Sequence, residues 1–160
     1  MKENYFEQIY KNAENGGTIL RHSLVDINAI DYNDVYEIAL DKANNGSVVE
    51  ILPDTVINDP LYAILFEGAK ENKCPDIKVD GIFWEIKTPT LPLKERKISK
   101  AIRNSHEQAN CMIIRLNAKY NNNYLKKVAK GRFETHNNIE RIEFKCCITA
   151  AYYCFDRDSI

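Results

Sequence analysis

The sequence predicts an α+β fold: one mixed β-sheet with a central hairpin at about residues 75–88, covered by helices. Three observations carry this. Segments with helical apolar spacing alternate irregularly with short apolar runs of strand length. Asp80-Gly81 marks a two-residue hairpin turn between Ile77-Lys78-Val79 and Ile82-Phe83-Trp84. The chain closes on two strand-like runs, Ile139–Phe144 and Cys146–Tyr153. The expected order is α-α-β-β-β-α-β-α-β-β.

Asn4–Asn15 reads as a helix, with Phe6, Ile9, Tyr10 and Ala13 on one face and Gly16-Gly17 as its stop. Thr18–Leu24 is a short extended piece containing Arg21 and His22. Asp31–Ala43 is a stronger helix: Val35, Ile38, Ala39 and Lys42 keep the spacing, Asp31 or Asn33 caps it, and Asn44-Asn45-Gly46 ends it. Val48–Leu52 is a buried strand closed by Pro53. A weak helix follows from Pro60 to Glu71, with Leu61, Ile64 and Leu65 facing inward. After the hairpin, Pro89 and Pro92 end the strand. Leu93–Ala109 is a helix with Ile98, Ala101 and Ile102 as its apolar stripe. Cys111–Leu116 is a buried strand, and Asn121 opens a helix to about Gly131 that carries Leu125 and Val128. No repeat, low-complexity linker or domain boundary stands out. A single domain over residues 1–160, with its core at about 16–153, is the expectation.

At 160 residues the chain is long enough to bury a core without staples. Its formal net charge of −1 provides no global attraction to polyanions or membranes, so a polyanion-binding surface must be a local patch. Five cysteines, an odd number without CxxC or Cys/His spacing, fit buried free thiols in a reducing compartment better than a disulfide framework or a zinc site. No apolar run has membrane-spanning length, and no signal-peptide core opens the chain. A cytoplasmic protein without membrane contact is expected, with delivery to another cell left open.

The hairpin carries the chemistry. A type I′ turn at Asp80-Gly81 sets Val79 opposite Ile82, Ile77 opposite Trp84 and Asp76 opposite Glu85. Ile77, Val79, Ile82, Trp84 and Ile86 then share one face; Asp76, Lys78, Glu85 and Lys87 share the other, with Phe83. Carboxylates on directly opposed positions repel, so Asp76 and Glu85 call for a cation between them or a shared proton. Lys87 is one such cation and Mg²⁺ another, since Mg²⁺ takes one or two carboxylates together with water and phosphate oxygens. A metal there would activate water and neutralise phosphate charge, and Lys87 would stabilise the transition state. That is the outline of a phosphodiesterase site; a plain solvated hairpin face is the alternative.

A basic run, Lys94, Arg96, Lys97, Lys100 and Arg103, opens the following helix on the side away from Ile98 and Ile102. A second cluster holds Lys126, Lys127, Lys130 and Arg132. With Lys78, these cations suit a phosphate backbone. Any of the three histidines, His22, His106 or His136, could act as general base in metal-free RNA cleavage by activating the 2′-hydroxyl.

Two resemblances meet on these residues. Pro75-Asp76 and Glu85-Ile86-Lys87, in helix–strand–hairpin–helix–strand order, resemble the PD-(D/E)xK nuclease superfamily, which implies a Mg²⁺-dependent DNA endonuclease. Gly16-Gly17 with His22, Asp31-Tyr32 leading a helix to Gly46, Val48–Pro53, Lys73-Cys74-Pro75-Asp76, Gln108, and Lys126-Lys127-Val128 with Arg132 form a longer pattern. It is similar to the C-terminal tRNA nuclease domains of contact-dependent growth-inhibition proteins and of phage or mobile-element head proteins, grouped as barnase/EndoU/colicin/RelE-like. This second resemblance implies nuclease chemistry with tRNA-like RNA favoured, an immunity protein as a partner, and a metal-free variant in which His22 and Arg132 act. Asp76 and Glu85 hold Mg²⁺ in the one reading and orient basic groups in the other. An inactive nucleic-acid-binding or assembly module of a mobile element is the non-enzymatic alternative.

Overall fold

The computed structural model describes residues 5–160 and divides after Trp84 into two compact units. The α+β class is as expected, and each unit carries mixed strand pairing covered by helices.

In the first unit, β1 (Phe6–Lys11) pairs antiparallel with β2 (Thr18–His22), and β2 runs parallel to β3 (Val48–Ile51). Between them lies α1 (Tyr32–Asn44), which buries Val35, Ile38, Ala39 and Ala43. Next come a short α2 (Pro60–Leu65), β4 (Ile77–Val79) antiparallel to β3, and β5 (Ile82–Lys87), which runs across the division. Asp59 caps α2 by accepting the Leu61 N–H at 2.9 Å. Leu61, Leu65, Phe66 and Leu52 form a small apolar cluster, with Phe6 and Phe83 packed against it.

The helix expected over residues 4–15 is a correction: the described part forms β1, and Asn4 lies outside the described residues. A bulge explains the misreading. Gln8 pairs with Leu20 and Tyr10 with Ile19, so Ile9 is an extra residue in the ladder. That insertion turns a spacing of two into three, from Glu7 to Tyr10 and from Gln8 to Lys11, and so breaks the alternation that marks a strand. Gly16 lies at φ 77 in the β1–β2 connection. Gly17 has a different reason: an added Cβ would sit 1.6 Å from the Ala43 carbonyl oxygen at the end of α1.

The second unit holds α3 (Glu95–His106), β6 (Cys111–Leu116), α4 (Asn122–Thr135), β7 (Arg141–Cys146) and β8 (Tyr152–Asp156). β6 and β7 are parallel, joined through α4, and β8 returns antiparallel. Met112, Ile114, Leu116, Ile142 and Phe144 face the stripes Ile98-Ala101-Ile102 and Leu125-Val128-Ala129 in one buried cluster. Asn121 caps α4, accepting the Tyr124 N–H at 2.8 Å. α4 continues past Gly131 because Phe133 is buried in this cluster. The closing strands lie a few residues later than expected, with the turn at 147–151. All five cysteines are free; Cys111 and Cys146 are buried, but Cys154 is exposed, unlike the buried thiols expected. Burial pushes the Cys111 thiol up to about 12.

Charge divides with the fold. The first unit has 7 Lys and Arg against 15 Asp and Glu, a formal −8; the second has 15 against 8, a formal +7. Together they make the net −1.

Candidate functional site

Both residues of the predicted turn have positive φ, Asp80 at 47° and Gly81 at 87°, as a type I′ turn requires. The predicted pairs Val79–Ile82 and Ile77–Trp84 are present. Asp80 adds a bond the sequence reading missed: its Oδ1 accepts the Val48 N–H at 2.8 Å, tying the turn to β3.

In the first unit, Asp76 stands just before β4, and its carbonyl accepts the Leu52 N–H at 3.1 Å. It lines a cavity of about 170 Å³ together with Asp26, Asp31, Asp54 and Tyr32. Lys78 is placed opposite Glu50 on β3, with its ammonium 4.9 Å from the centre of the Phe83 ring. His22 is fully buried, edge-on to Phe6, and its Nδ1 accepts the Leu24 N–H at 3.1 Å. In the neutral ring the proton therefore sits on Nε2. A ring without exposed surface does not meet a polynucleotide in this conformation.

The second unit opens with Glu85 and Lys87. Glu85 is only 4 % exposed, so its part of β5 is no solvated face. Lys87 Nζ lies 3.1 Å from Glu85 Oε2 and its side chain still reaches solvent. A carboxylate taken out of water needs a cation or several donors, and Lys87 supplies the charge. Carboxylate oxygens such as those of Glu85 are the kind of donor that a hard cation such as Mg²⁺ takes. Among the described residues, no group of three or more His, Cys, Asp or Glu is placed to hold a metal ion.

Two open grooves lie along α3, and Lys87 lines one of them. One, about 320 Å³, is lined by Lys87, Thr88, Thr90, Lys97, Lys100 and Asn104. Lys97 donates to the Thr90 carbonyl at 2.9 Å, tying α3 to the segment after β5. The other groove, about 450 Å³, is lined by Lys94, Arg96, Lys97, Lys100, Arg103 and Arg132, with Ser99. Lys97 and Lys100 belong to both. α3 achieves this because its cations lie opposite the buried Ile98–Ile102 stripe. Arg132, far along the sequence, joins the first basic run. Lys126 and Lys127 stay exposed more than a turn earlier, on other sides of α4.

His106 and His136 stack with ring centres 3.9 Å apart. Burial, then His106, Arg132 and Arg103, hold His136 below the usual histidine range.

The sequence reading missed Thr88, Asn104 and Arg115. Arg115 is 8 % exposed and donates from Nη1 to Thr88 Oγ1 at 2.9 Å. Its signal was present: an arginine inside the apolar strand Cys-Met-Ile-Ile-Arg-Leu needs a partner or a purpose.

Residues 73–144 match the contact-dependent growth inhibition CdiA C-terminal domain. The matched stretch takes in Asp76, Glu85, Lys87, all of α3 and Arg132, and leaves out His22. Among solved structures, the chain is similar to one in a CdiA-CT/CdiI toxin and immunity complex from Burkholderia pseudomallei. The identity is 14 % and the TM-score 0.50, over 82 % of this chain and 88 % of the other, which is a likeness of fold. No curated protein matches the sequence. The family match over this part of the chain and the likeness of fold agree with the resemblance drawn from the sequence.

Proposed function

We propose that this domain is a nuclease toxin that cleaves phosphodiester bonds, with tRNA-like RNA preferred over DNA. One observation carries the reading: Lys97 and Lys100 line both grooves, so Lys87, held by the buried Glu85, stands at one end of a basic wall that reaches Arg132. Such a wall fits successive phosphates of one strand. At its end, Lys87 faces the phosphorus under attack and offsets the charge that grows on the non-bridging oxygens. Glu85 holds the Lys87 ammonium in place, and the leaving sugar oxygen departs with the proton given up by the nucleophile. A Mg²⁺ ligated by Asp76 or by Glu85, the two carboxylates of the motif, would supply further charge neutralisation and a more acidic water. We give His22 no part in this step because it is buried; Arg132 binds phosphate. The toxin and immunity pairing of the similar complex supports an immunity protein as partner, and the match to a contact-dependent inhibition domain supports delivery into another cell.

The test is an assay of total tRNA beside plasmid DNA, with and without EDTA. tRNA cleavage is expected, and Glu85→Gln and Lys87→Ala should each lower it about 10²–10³-fold, the usual cost of removing a group aimed at transition-state charge. RNA cleavage that survives EDTA removes the metal from the mechanism. The PD-(D/E)xK motif favours a second reading, a Mg²⁺-dependent DNA endonuclease. Plasmid cleavage abolished by EDTA, with tRNA left intact, would select it. If both variants match the wild type in cleavage and toxicity, the domain is a binding module instead.

A further inference from the structure

Arg115 and Lys145 stand directly opposite each other on β6 and β7, with 8 % and 6 % of their surface exposed. Like charges on opposed strand positions repel, and buried cations are costly. A position built for packing alone would hold valine or isoleucine. Lys145 has its ammonium 5.8 Å from the centre of the Tyr152 ring. Arg115 instead donates to Thr88 Oγ1. Thr88 follows Lys87 and lines the same groove as Lys87, Lys97 and Lys100. A hydroxyl that accepts a hydrogen bond from a guanidinium keeps its own hydrogen as a donor, and the adjacent cation makes it a stronger one.

We propose that Thr88 is a further catalytic residue, donating its O–H to a non-bridging oxygen of the scissile phosphate, and that Arg115 is the positioning residue that orients this hydroxyl. The assignment rests on the nuclease reading above and deepens it. Thr88 forms no covalent bond and passes on no proton; its hydrogen bond shortens as charge builds on the phosphoryl oxygen. The Arg115–Thr88 bond sets the direction of that hydroxyl before the substrate arrives. A rival account is that the Arg115–Thr88 bond merely anchors the segment between β5 and α3.

The experiment is a double-mutant cycle on tRNA cleavage, with thermal melts of every variant. Thr88→Val should lower kcat about 10–100-fold and leave KM within about twofold, while Thr88→Ser keeps most of the rate, because only the hydroxyl matters. Arg115→Lys should cost about as much as Thr88→Val in the wild-type background and less than about twofold in the Thr88→Val background, since a residue acting through Thr88 has nothing left to orient. Losses that multiply overturn the proposal. So does a lowered Tm with unchanged kcat, which is the anchoring role. A wild type that cleaves no nucleic acid ends the nuclease reading, and a binding measurement then decides about Thr88 separately. With a non-cleavable 2′-O-methyl RNA stem-loop, the NMR signals of Thr88 should shift together with those of Lys97 and Lys100. Shifts in α3 with Thr88 unmoved overturn its contact with phosphate.

Discussion

His136 shows how one side chain ties stability to pH. It stacks on His106, whose Nδ1 lies 3.0 Å from Asn138 Oδ1, and Arg103, Arg132 and Glu107 act on it from α3 and α4. Burial is the largest influence; the cations reinforce it and Glu107 opposes it. The folded state therefore favours the neutral ring, whereas the unfolded chain titrates near pH 6.5. Between the folded and unfolded values the unfolded state binds more protons, so stability rises with pH across that window. Read downward, a penalty begins as pH falls below about 6.5 and stops growing below the folded value. His136→Asn removes this titration. Its stability relative to the wild type, from urea melts, should be constant above about pH 7.5 and improve as pH falls through 6.5. A difference that stays flat down to pH 5 would show that His136 is not the group responsible.

At the scale of elements, glycine positions and turn chemistry do much of the specifying. Gly17 lets β2 pass against the end of α1, where a Cβ would fall 1.6 Å from the Ala43 oxygen. Backbone cannot yield as a flexible side chain does. Gly17→Ala should therefore destabilise at or beyond the upper end of the roughly 1–3 kcal/mol typical of overpacking, while Gly16→Ala, with open space around its Cβ but φ at 77°, should cost only about 1 kcal/mol of backbone strain. Denaturant melts decide it, and equal losses at both positions would show that the close approach to α1 is not what matters. The sequence announced Gly16-Gly17 as a stop but not this contact, which exists only once α1 has docked. The same limit governs the rest. The Asp80-Gly81 turn and its register were legible because φ and the two-residue period are local properties. α1, α3 and β6 were legible from apolar spacing. β1 was not, because one bulged residue shifts the spacing. Within the site, Glu85 and Lys87 were readable as neighbours on one face, and their ion pair follows from that spacing. The burial of Glu85 and of His22 was not readable, since it depends on what covers each strand. Arg132 entered the α3 groove only through the packing of α4 beside α3, which nothing in the local sequence encodes.

For the whole molecule, the decisive property is how charge is distributed, since the net value of −1 conceals a unit of −8 and a unit of +7. A chain with that net charge gains little from long-range attraction to a polyanion, so binding must come from a few contacts made at short range. Those contacts are countable. Each phosphate neutralised by a lysine or arginine contributes about 0.7 to 0.9 to the slope of log affinity against log salt. Arg103 and Arg132 lie in the groove, whereas Lys126 and Lys127 do not. Arg103→Gln with Arg132→Gln should therefore make the slope shallower by about 1.4 to 1.8, in a Glu85→Gln background that keeps the RNA intact. Lys126→Gln with Lys127→Gln removes the same formal charge from the same unit and should leave the slope within error. If both pairs flatten the slope equally, the basic unit binds RNA through diffuse charge and the α3–α4 groove is not the interface. If neither does, the nucleic acid lies elsewhere, and Lys97 and Lys100 lose their place as the wall leading to Glu85 and Lys87.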